Sequence, residues 1–253
     1  MPHAITVVII TKNAAPWLPA CLDSIRFADE IMVVDSGSTD DTVTIAHRFG
    51  ARVMVQTWLG YGPQKHFAVT QALHDWVLCL DADERVTDAL QASIRAELAA
   101  PAFNAYEMPR RNRFLGRWLG HGEGYPDWCL RLFDRRHARW SDDAVHEKVI
   151  TNQPVGRLRG DLLHESQVTI ADYLAKQNQY TTLQAERLHA AGHRASILHL
   201  LVNPLVRFIK FYFVRRGFLD GIPGLIHILI GCANTFNKYA KLIERQRGKW
   251  PTA

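Results

Sequence analysis

The first eighty residues repeat a two-part pattern of apolar runs and polar turns. Ile5-Thr6-Val7-Val8-Ile9-Ile10-Thr11 is β-branched almost throughout and reads as a central strand. Lys12-Asn13-Ala14-Ala15-Pro16 ends it, and Pro16 is placed to open a helix to about Phe27. Glu30-Ile31-Met32-Val33-Val34-Asp35 is a second strand. It stops at Ser36-Gly37-Ser38-Thr39-Asp40-Asp41-Thr42, a turn with several candidate helix caps. A helix from about Asp41 to Phe49 and a strand at Arg52-Val53-Met54-Val55 follow. A loop with Gly60, Gly62 and Pro63 then leads to a helix from about Gln64 to Leu73 and a strand at Trp76–Asp81. Strand and helix alternating in this way predict a mostly parallel α/β sheet of Rossmann type, with helices on both faces.

Past Asp83 the rhythm changes. A helix is predicted from about Thr87 to Leu98, then a mobile loop over Arg110–Asp127, where Gly120, Gly122 and Gly124 recur. Those glycines neither follow a strand nor open a helix, so they make no dinucleotide fingerprint. Leu130–Phe133, Val145–Ile150 and Leu158–His164 read as mixed or edge strands. From Ile170 the spacing of Tyr173, Leu174, Gln177, Tyr180, Thr181, Gln184 and Leu188 is helical. Gly192 ends that helix, and another covers about Ser196 to Arg215 with Pro204 as a kink. Gly221–Asn237 has no Asp, Glu, Lys or Arg but is interrupted by Pro223, Gly224, Gly231 and Asn234, which predicts an interfacial or re-entrant segment rather than a span. The chain thus divides into a catalytic domain over 1–168, with halves at 1–100 and 101–168, and a helical extension over 169–253.

Charge adds a partner to this picture. From Pro204 to Trp250 nine basic residues face two acidic ones, Asp220 and Glu244, in a stretch rich in Phe, Leu and Ile. Basic plus apolar points to an anionic membrane surface rather than to nucleic acid. The alternative is that these helices pack on the domain or on a second copy of the chain. Cys21, Cys79, Cys129 and Cys232 form no CxxC pair, so neither a disulfide framework nor a zinc site is indicated. With no basic leader before Ile5, a reducing cytoplasm is the expected compartment.

The chemistry concentrates where Trp76-Val77-Leu78-Cys79-Leu80 runs into Asp81-Ala82-Asp83-Glu84. Open α/β sheets bind ligands at the carboxyl ends of their strands. On an extended segment Asp81 and Asp83 leave the same side and suit Mg²⁺ or Mn²⁺ shared with substrate phosphates. The competing reading is a helix N-terminus, with Asp83 and Glu84 facing the dipole of the helix that begins near Thr87.

Together with Ile10-Thr11-Lys12-Asn13, the Asp35–Thr42 turn and Gly62-Pro63-Gln64-Lys65, this run resembles the family 2 glycosyltransferases of the GT-A fold. Val145-His146-Glu147, Leu163-His164, Arg216–Gly221 and Phe236–Ala240 resemble the branch of lipopolysaccharide core β-1,4-glucosyltransferases that act on heptose. The resemblance implies an inverting, metal-dependent transfer of a hexose, glucose in that branch, from a UDP-sugar to a lipid-linked glycan at the inner face of the cell membrane. By the family motif Asp83 ligates Mg²⁺ or Mn²⁺, and Asp81 touches the ribose or the metal through water. Asp35 accepts the uracil imide N–H or caps a helix, and Thr11 meets the base or ribose edge. Lys65 contacts the nucleotide or diphosphate, or is a solvated lysine at a helix start. His164 returns to the metal or diphosphate, or is structural.

The base that deprotonates the acceptor is assigned to Glu147 over Asp143, with His146 to orient it; the alternative is that Asp142, Asp143 and Glu147 are surface loop charges. Arg110, Arg111, Arg113, Arg117, Arg131, Arg135, Arg136 and Arg139 suit an anionic acceptor, and Trp118, Trp128 and Trp140 suit stacking on sugar rings. The competing functions are a polyprenyl-phosphate glycosyltransferase and a noncatalytic nucleotide-sugar or glycan-binding module.

Overall fold

The structure, a computed structural model, describes residues 3–143, 147–165 and 169–248. Two compact units are present. The first comprises residues 1–111 and 127–165, and the second 112–126 and 166–253.

The first unit opens as its apolar pattern predicts. Strand β1 (Ile5–Thr11) is followed by α1 (Leu18–Ser24), β2 (Glu30–Asp35), α2 (Thr42–Arg48) and β3 (Arg52–Val55). Next come α3 (Tyr61–Thr70), β4 (Trp76–Asp81), β5 (Glu84–Val86) and α4 (Asp88–Ala99). Strands β6 (Ala105–Phe114), β7 (Arg117–Trp118), β8 (Asp127–Asp134), β9 (Ala138–Trp140), β10 (Val149–Thr151), β11 (Gly156–Arg157) and β12 (Leu162–His164) complete the β structure. The main sheet runs in the order β3-β2-β1-β4-β8-β6-β12-β5. Strands β1 to β4 are parallel, β8 is antiparallel to both β4 and β6, and β12 is antiparallel to β5. The result is a mixed α/β sheet rather than a purely parallel one.

Alternation along β1 divides the core in two. Ile5, Val7 and Ile9 face a layer that includes Leu18, Leu22 and Ile25 from α1 and Leu90, Ile94 and Leu98 from α4. Val8 faces the other way, with Met32, Val34, Val77, Cys79, Ala68, Val69 and Phe133. Both faces are covered, so neither alternates with water, and each strand reads as a continuous apolar run.

Several sequence expectations shift. Helix α3 starts at Tyr61, not Gln64, because Pro63 sits in the first turn, where its missing N–H costs nothing. The loop predicted over 110–127 is strand in its first half, where β6 continues to Phe114 and turns into β7 through Leu115 and Gly116, both at positive φ, while residues 119–126 are non-strand. Strand β9 had no distinct sequence signal. Of the strand expected over 145–150, Val149–Thr151 is present, while residues 144–146 lie outside the described residues.

In the second unit α5 (Ile170–Ala190) and α6 (Ile197–Phe208) lead through a π-turn at Ile209–Val214 and a 3-10 turn at Gly217–Asp220 into α7 (Gly221–Gln246). Helix α6 runs through Pro204. Gly221–Asn237, expected as an interfacial or re-entrant segment interrupted by Pro223, Gly224, Gly231 and Asn234, lies within continuous helix α7, and Gly224 and Gly231 sit where neighbouring groups approach closely. A Cβ on Gly224 would lie 2.5 Å from Asp220 Cβ, and one on Gly231 would meet the Glu123 carboxylate. The 112–126 segment belongs here: buried Asp220 accepts from the Gly120 and His121 backbone N–H groups, and Glu123 pairs with Arg207.

One glycine in the first unit is required twice over. Gly160 has φ +92°, and a Cβ there would lie 2.2 Å from Leu90 N, in the first turn of α4. Gly50 has φ +77° with open space around it. Gly50→Ala is expected to cost about 1 kcal/mol of stability, the strain of the left-handed region alone. Gly160→Ala should cost clearly more; equal urea midpoints for the two variants would contradict this account.

Candidate active site

The parallel register brings the three polar strand ends together. Thr11 lies opposite Asp35, and Ile10 opposite Asp81, so the carboxyl ends of β1, β2 and β4 share one edge. This edge is where an open α/β sheet receives a ligand.

At the β2 end, Asp35 is 1% exposed. Its carboxylate accepts from the Gly37 and Ser38 backbone N–H groups at 2.9 and 2.8 Å, from the Ser38 hydroxyl, and from the Thr11 hydroxyl at 3.1 Å. Asp35 therefore shapes the loop and does not cap a helix. The N-cap position of α2 is Asp41, which makes no side-chain cap bond, while the Asp40 carboxylate just before it accepts from Thr42 N at 3.0 Å and Ala15 N at 3.1 Å.

The β4 end does not stay extended. Asp81 closes β4, Ala82 and Asp83 turn, and Glu84 opens β5, so Asp81 and Asp83 have different surroundings, unlike the same-side arrangement expected of an extended run. Glu84, with no exposed surface, folds back to accept from Asp81 N at 2.9 Å. Its other oxygen receives Arg110 at 3.2 Å and Arg131 at 3.1 Å. This turn, and not a helix N-terminus, is what the acidic triplet builds; helix α4 is capped by Thr87.

Asp81 sits between two cations. One oxygen is 3.0 Å from Lys65 Nζ and the other 2.8 Å from Arg131 Nη2. Burial opposes ionisation of Asp81, but Lys65 and then Arg131 outweigh it and hold the carboxyl well below the usual carboxylate range. Burial likewise works against the Arg131 charge, yet Glu84 and Asp81 push its pKa well above the ordinary value.

Lys65 is 4% exposed, not a solvated helix-start lysine. Besides Asp81 it donates to Glu147 Oε1 at 2.9 Å, so one ammonium joins two carboxylates from distant parts of the chain. Gly62 makes that meeting possible. Its N–H donates to Asp143 O at 3.1 Å, and a Cβ there would lie 2.2 Å from Ser141 O. The 141–143 backbone thus rests directly on the first turn of α3, one turn before Lys65. Asp142 and Asp143 are exposed, with Asp142 paired to Arg139, whereas Glu147 points to Lys65. His146, expected to orient Glu147, lies outside the described residues.

Trp140 is 3% exposed and lies under both cations, 4.9 Å from Lys65 Nζ and 5.5 Å from the Arg131 guanidinium carbon. Its indole N–H donates to Cys79 Sγ at 3.2 Å. Desolvated cation–π contacts of this kind contribute about 2 kcal/mol. Trp140 is accordingly not a platform for a sugar ring. Trp128, 38% exposed, carries Arg157 over its ring, and Trp118 carries Arg113.

The arginines expected to form one acceptor patch are dispersed. Arg131 and Arg110 lie beneath the acidic turn, while Arg135 and Arg136 bind Asp75, Asp134 and backbone carbonyls at the other end of β8. Arg131 was legible as the one charge between Leu130 and Leu132 in an apolar strand. Nothing in the sequence pairs it with Glu84.

Asp83 meets His164. Strand β12 lies antiparallel to β5 with His164 opposite Glu84, which brings His164 Nε2 to 3.3 Å from Asp83 Oδ2. One carboxylate oxygen and one imidazole nitrogen at that spacing match an edge of an octahedron with bonds of about 2.1 Å, which is about 3 Å long. The donor set fits Mn²⁺ or Mg²⁺ whose other positions go to phosphate and water. Among the described residues no third His, Cys, Asp or Glu completes a cluster. Burial raises the pKa values of Cys79 and Cys129 to about 11, so neither supplies a thiolate nucleophile near neutral pH.

Comparison with known proteins bears on this edge. The family model described as Glycosyl transferase family 2 matches residues 6–151. An uncharacterized glycosyltransferase of Rickettsia typhi is 33% identical, over 95% of this chain and 87% of its own. LpsC of Rhizobium meliloti, a lipopolysaccharide core biosynthesis glycosyltransferase, is 30% identical over 95% of this chain and 92% of its own. Among solved structures, S. aureus TarS 1–349 in complex with UDP-GlcNAc aligns at a TM-score of 0.50 and 13% identity, covering 98% of this chain and 93% of that one. That likeness is one of fold.

The charge network makes two predictions. Arg131→Met leaves Glu84 buried with Arg110 as its remaining cation and is expected to lower stability by about 3–5 kcal/mol in urea denaturation; a loss under 1 kcal/mol would show that the network is not coupled. The depressed Asp81 pKa stabilises the fold fully above the unfolded carboxylate value of about 3.9, and this stabilisation is lost as pH falls through the lower folded value. The stability gap between wild type and Asp81→Asn should therefore narrow as pH is lowered below about 4. A gap that widened in acid would reverse the assignment.

Proposed function

The chain belongs to glycosyl transferase family 2 and is a glycosyltransferase with a GT-A-like fold, and we propose that it moves a hexose, glucose in this reading, from a UDP-sugar to a lipid-linked glycan with inversion at the anomeric carbon. The acceptor class follows LpsC, whose name places it in lipopolysaccharide core synthesis. Within the catalytic domain proposed over 1–168, the observation that carries the mechanism is the ion bridge Asp81–Lys65–Glu147 beside the Asp83–His164 pair.

Glu147 is the proposed base. Lys65 holds Oε1, and Oε2 takes the proton of the acceptor hydroxyl as its oxygen attacks the anomeric carbon. The bond from that carbon to the diphosphate oxygen breaks as the new glycosidic bond forms. Negative charge consequently grows on the departing UDP, where stabilisation by fixed positive groups is most effective. Lys65 lies close enough to Asp81 and Glu147 to orient both carboxylates, which makes it chiefly a positioning residue. Asp83 and His164 would hold Mg²⁺ or Mn²⁺, which supplies electrostatic stabilisation of the leaving diphosphate when bound.

Thr11 and Asp35 form the nucleotide end. Asp35 receives the uracil imide N–H by exchanging one of its two hydroxyl donors, Thr11 or Ser38. Asp81, with its charge balanced by Lys65 and Arg131, is suited to a ribose hydroxyl or a metal-bound water. The enzyme acts at the inner face of the membrane, where a lipid-linked acceptor and a cytoplasmic nucleotide sugar meet.

Asp83→Ala is expected to abolish transfer while leaving the thermal unfolding profile intact; unchanged turnover in that variant would sink the metal assignment. Glu147→Gln should lower kcat about 10²–10⁴-fold, whereas Asp143→Asn should leave it within about twofold. The reverse ranking would move the base to Asp143. Incubation with a panel of nucleotide sugars and Mn²⁺ should release UDP by slow hydrolysis of UDP-hexoses. Affinity for the nucleotide sugar without hydrolysis or transfer would favour a binding module. Label transferred to polyprenyl phosphate but not to core lipopolysaccharide would replace the acceptor.

A further inference from the structure

The second unit carries an apolar surface that its own packing leaves uncovered. On α6 and the π-turn after it, the exposed residues are Ile197, Leu198, Leu201, Val202, Leu205, Val206, Ile209, Lys210, Phe213 and Val214. Nine of those ten are apolar, and Leu201 and Leu205 are 62% and 58% exposed. Their spacing of three and four defines one stripe of a helix. The opposite stripe faces α7: Arg207 donates to Thr235 at 3.3 Å, and His199 lies against Tyr239 at 5.3 Å.

Two observations say what covers this stripe. The first is charge. Between His193 and Ile222 the exposed ionic side chains are Arg194, Lys210 and Arg216, and the single acid of that stretch, Asp220, is buried. An apolar stripe rimmed by cations alone complements an anionic lipid surface. A self-associating face gains nothing from it, since two copies would bring like charges together.

The second observation concerns depth. By length and apolarity both Ile197–Val214 and Gly217–Gln246 are long enough to cross a membrane. Helix α5, however, lies parallel to α7 along most of its length: Gln177 meets Asn234, Lys241 reaches Asn178 and Thr181, and Arg245 pairs with Glu186. Asp172, Lys176, Gln179, Gln184 and Arg187 of α5 are exposed. A spanning α7 would drag those groups into hydrocarbon, at about 2.5–3.5 kcal/mol for each charge at the centre.

We infer that the α6 stripe is a monotopic membrane anchor: it lies in the plane of an anionic bilayer surface, with Leu201, Leu205 and Ile209 among the acyl chains, Lys210 and Arg216 at the headgroups, and no segment crossing. This deepens the lipid-linked acceptor reading given above by specifying the lipid contact, and its test does not involve sugar transfer.

The full chain is mixed with sealed vesicles of phosphatidylcholine containing or lacking phosphatidylglycerol, and pelleted. Binding is expected to the anionic vesicles. Leu201→Glu and Leu205→Glu should each weaken it at least about tenfold, the loss from removing one buried leucine. Lys210→Gln and Arg216→Gln should each weaken it about fivefold. Equal binding by wild type and both leucine variants would overturn the proposal. So would a dimer in solution that those variants convert to monomer with no change in pelleting, because the stripe would then be a contact between copies.

Insertion mode is read with Arg194→Cys and Arg216→Cys, made separately in a background with Cys129 and Cys232 replaced by Ser. A membrane-impermeant thiol reagent added outside should label both positions before lysis of the vesicles. Protection of one of them until lysis would mean that the helix spans. UDP-sugar hydrolysis by the leucine variants should match wild type; if wild type itself shows no hydrolysis, the catalytic reading fails while the vesicle result stands.

Discussion

One ammonium organises the polar edge of the sheet in this protein. Lys65 is almost wholly enclosed, and its Nζ lies about 3 Å from both Asp81 and Glu147, which are 66 positions apart in the chain. A buried cation must be paired, since leaving it alone costs several kcal/mol. The requirement is mutual. Asp81 is kept ionised by Lys65 and Arg131, and Arg131 in turn is tied to Glu84. Trp140 closes the arrangement from below by presenting one aromatic face to both cations.

This network explains why the acidic turn after β4 has a defined shape. Four residues carry three carboxylates, and mutual repulsion would scatter them in water. Here each has a different partner: two cations for Asp81, the imidazole of His164 for Asp83, and two arginines with a backbone N–H for Glu84. Glu84 and Arg131 are spent on structure, which leaves Asp83 as the carboxylate turned toward a second strand's histidine. A glycosyltransferase gains from charged groups set in place beforehand, because reorganising them during the reaction would add to the barrier.

The second unit resolves a different conflict. By length and apolarity two of its helical stretches are long enough to cross a bilayer, yet its packing commits one side of α7 to a polar helix. Apolar length alone measures what a helix tolerates; its neighbours decide how deep it can go. The glycines that looked like interruptions are instead close contacts, with Gly231 accommodating the Glu123 carboxylate that pairs with Arg207.

The sequence by itself determined the alternation of strands and helices through β4, because strands buried on both faces must be continuously apolar and their turns must carry polar residues and glycine. It also located Thr11, Asp35 and Asp81 at strand ends, and there the structure has them, whereas Asp83, expected on the same extended run, sits in the turn that follows β4. It marked Lys65, Glu147 and His164 as chemically apt but could not pair them. Pairing depends on contacts between residues far apart in the chain: His164 reaches Asp83 only through the antiparallel register of β12 on β5, and Glu147 reaches Lys65 only because Gly62 lets the 141–143 backbone rest on α3. Burial was hidden for the same reason. Trp140 and Arg131 have the composition of a sugar-binding surface, and only the packing of β8 and β9 against α3 and the acidic turn places them beneath the site. Local sequence sets what each segment prefers, whereas the partner of a charge is chosen by whatever the folded chain brings within about 4 Å of it.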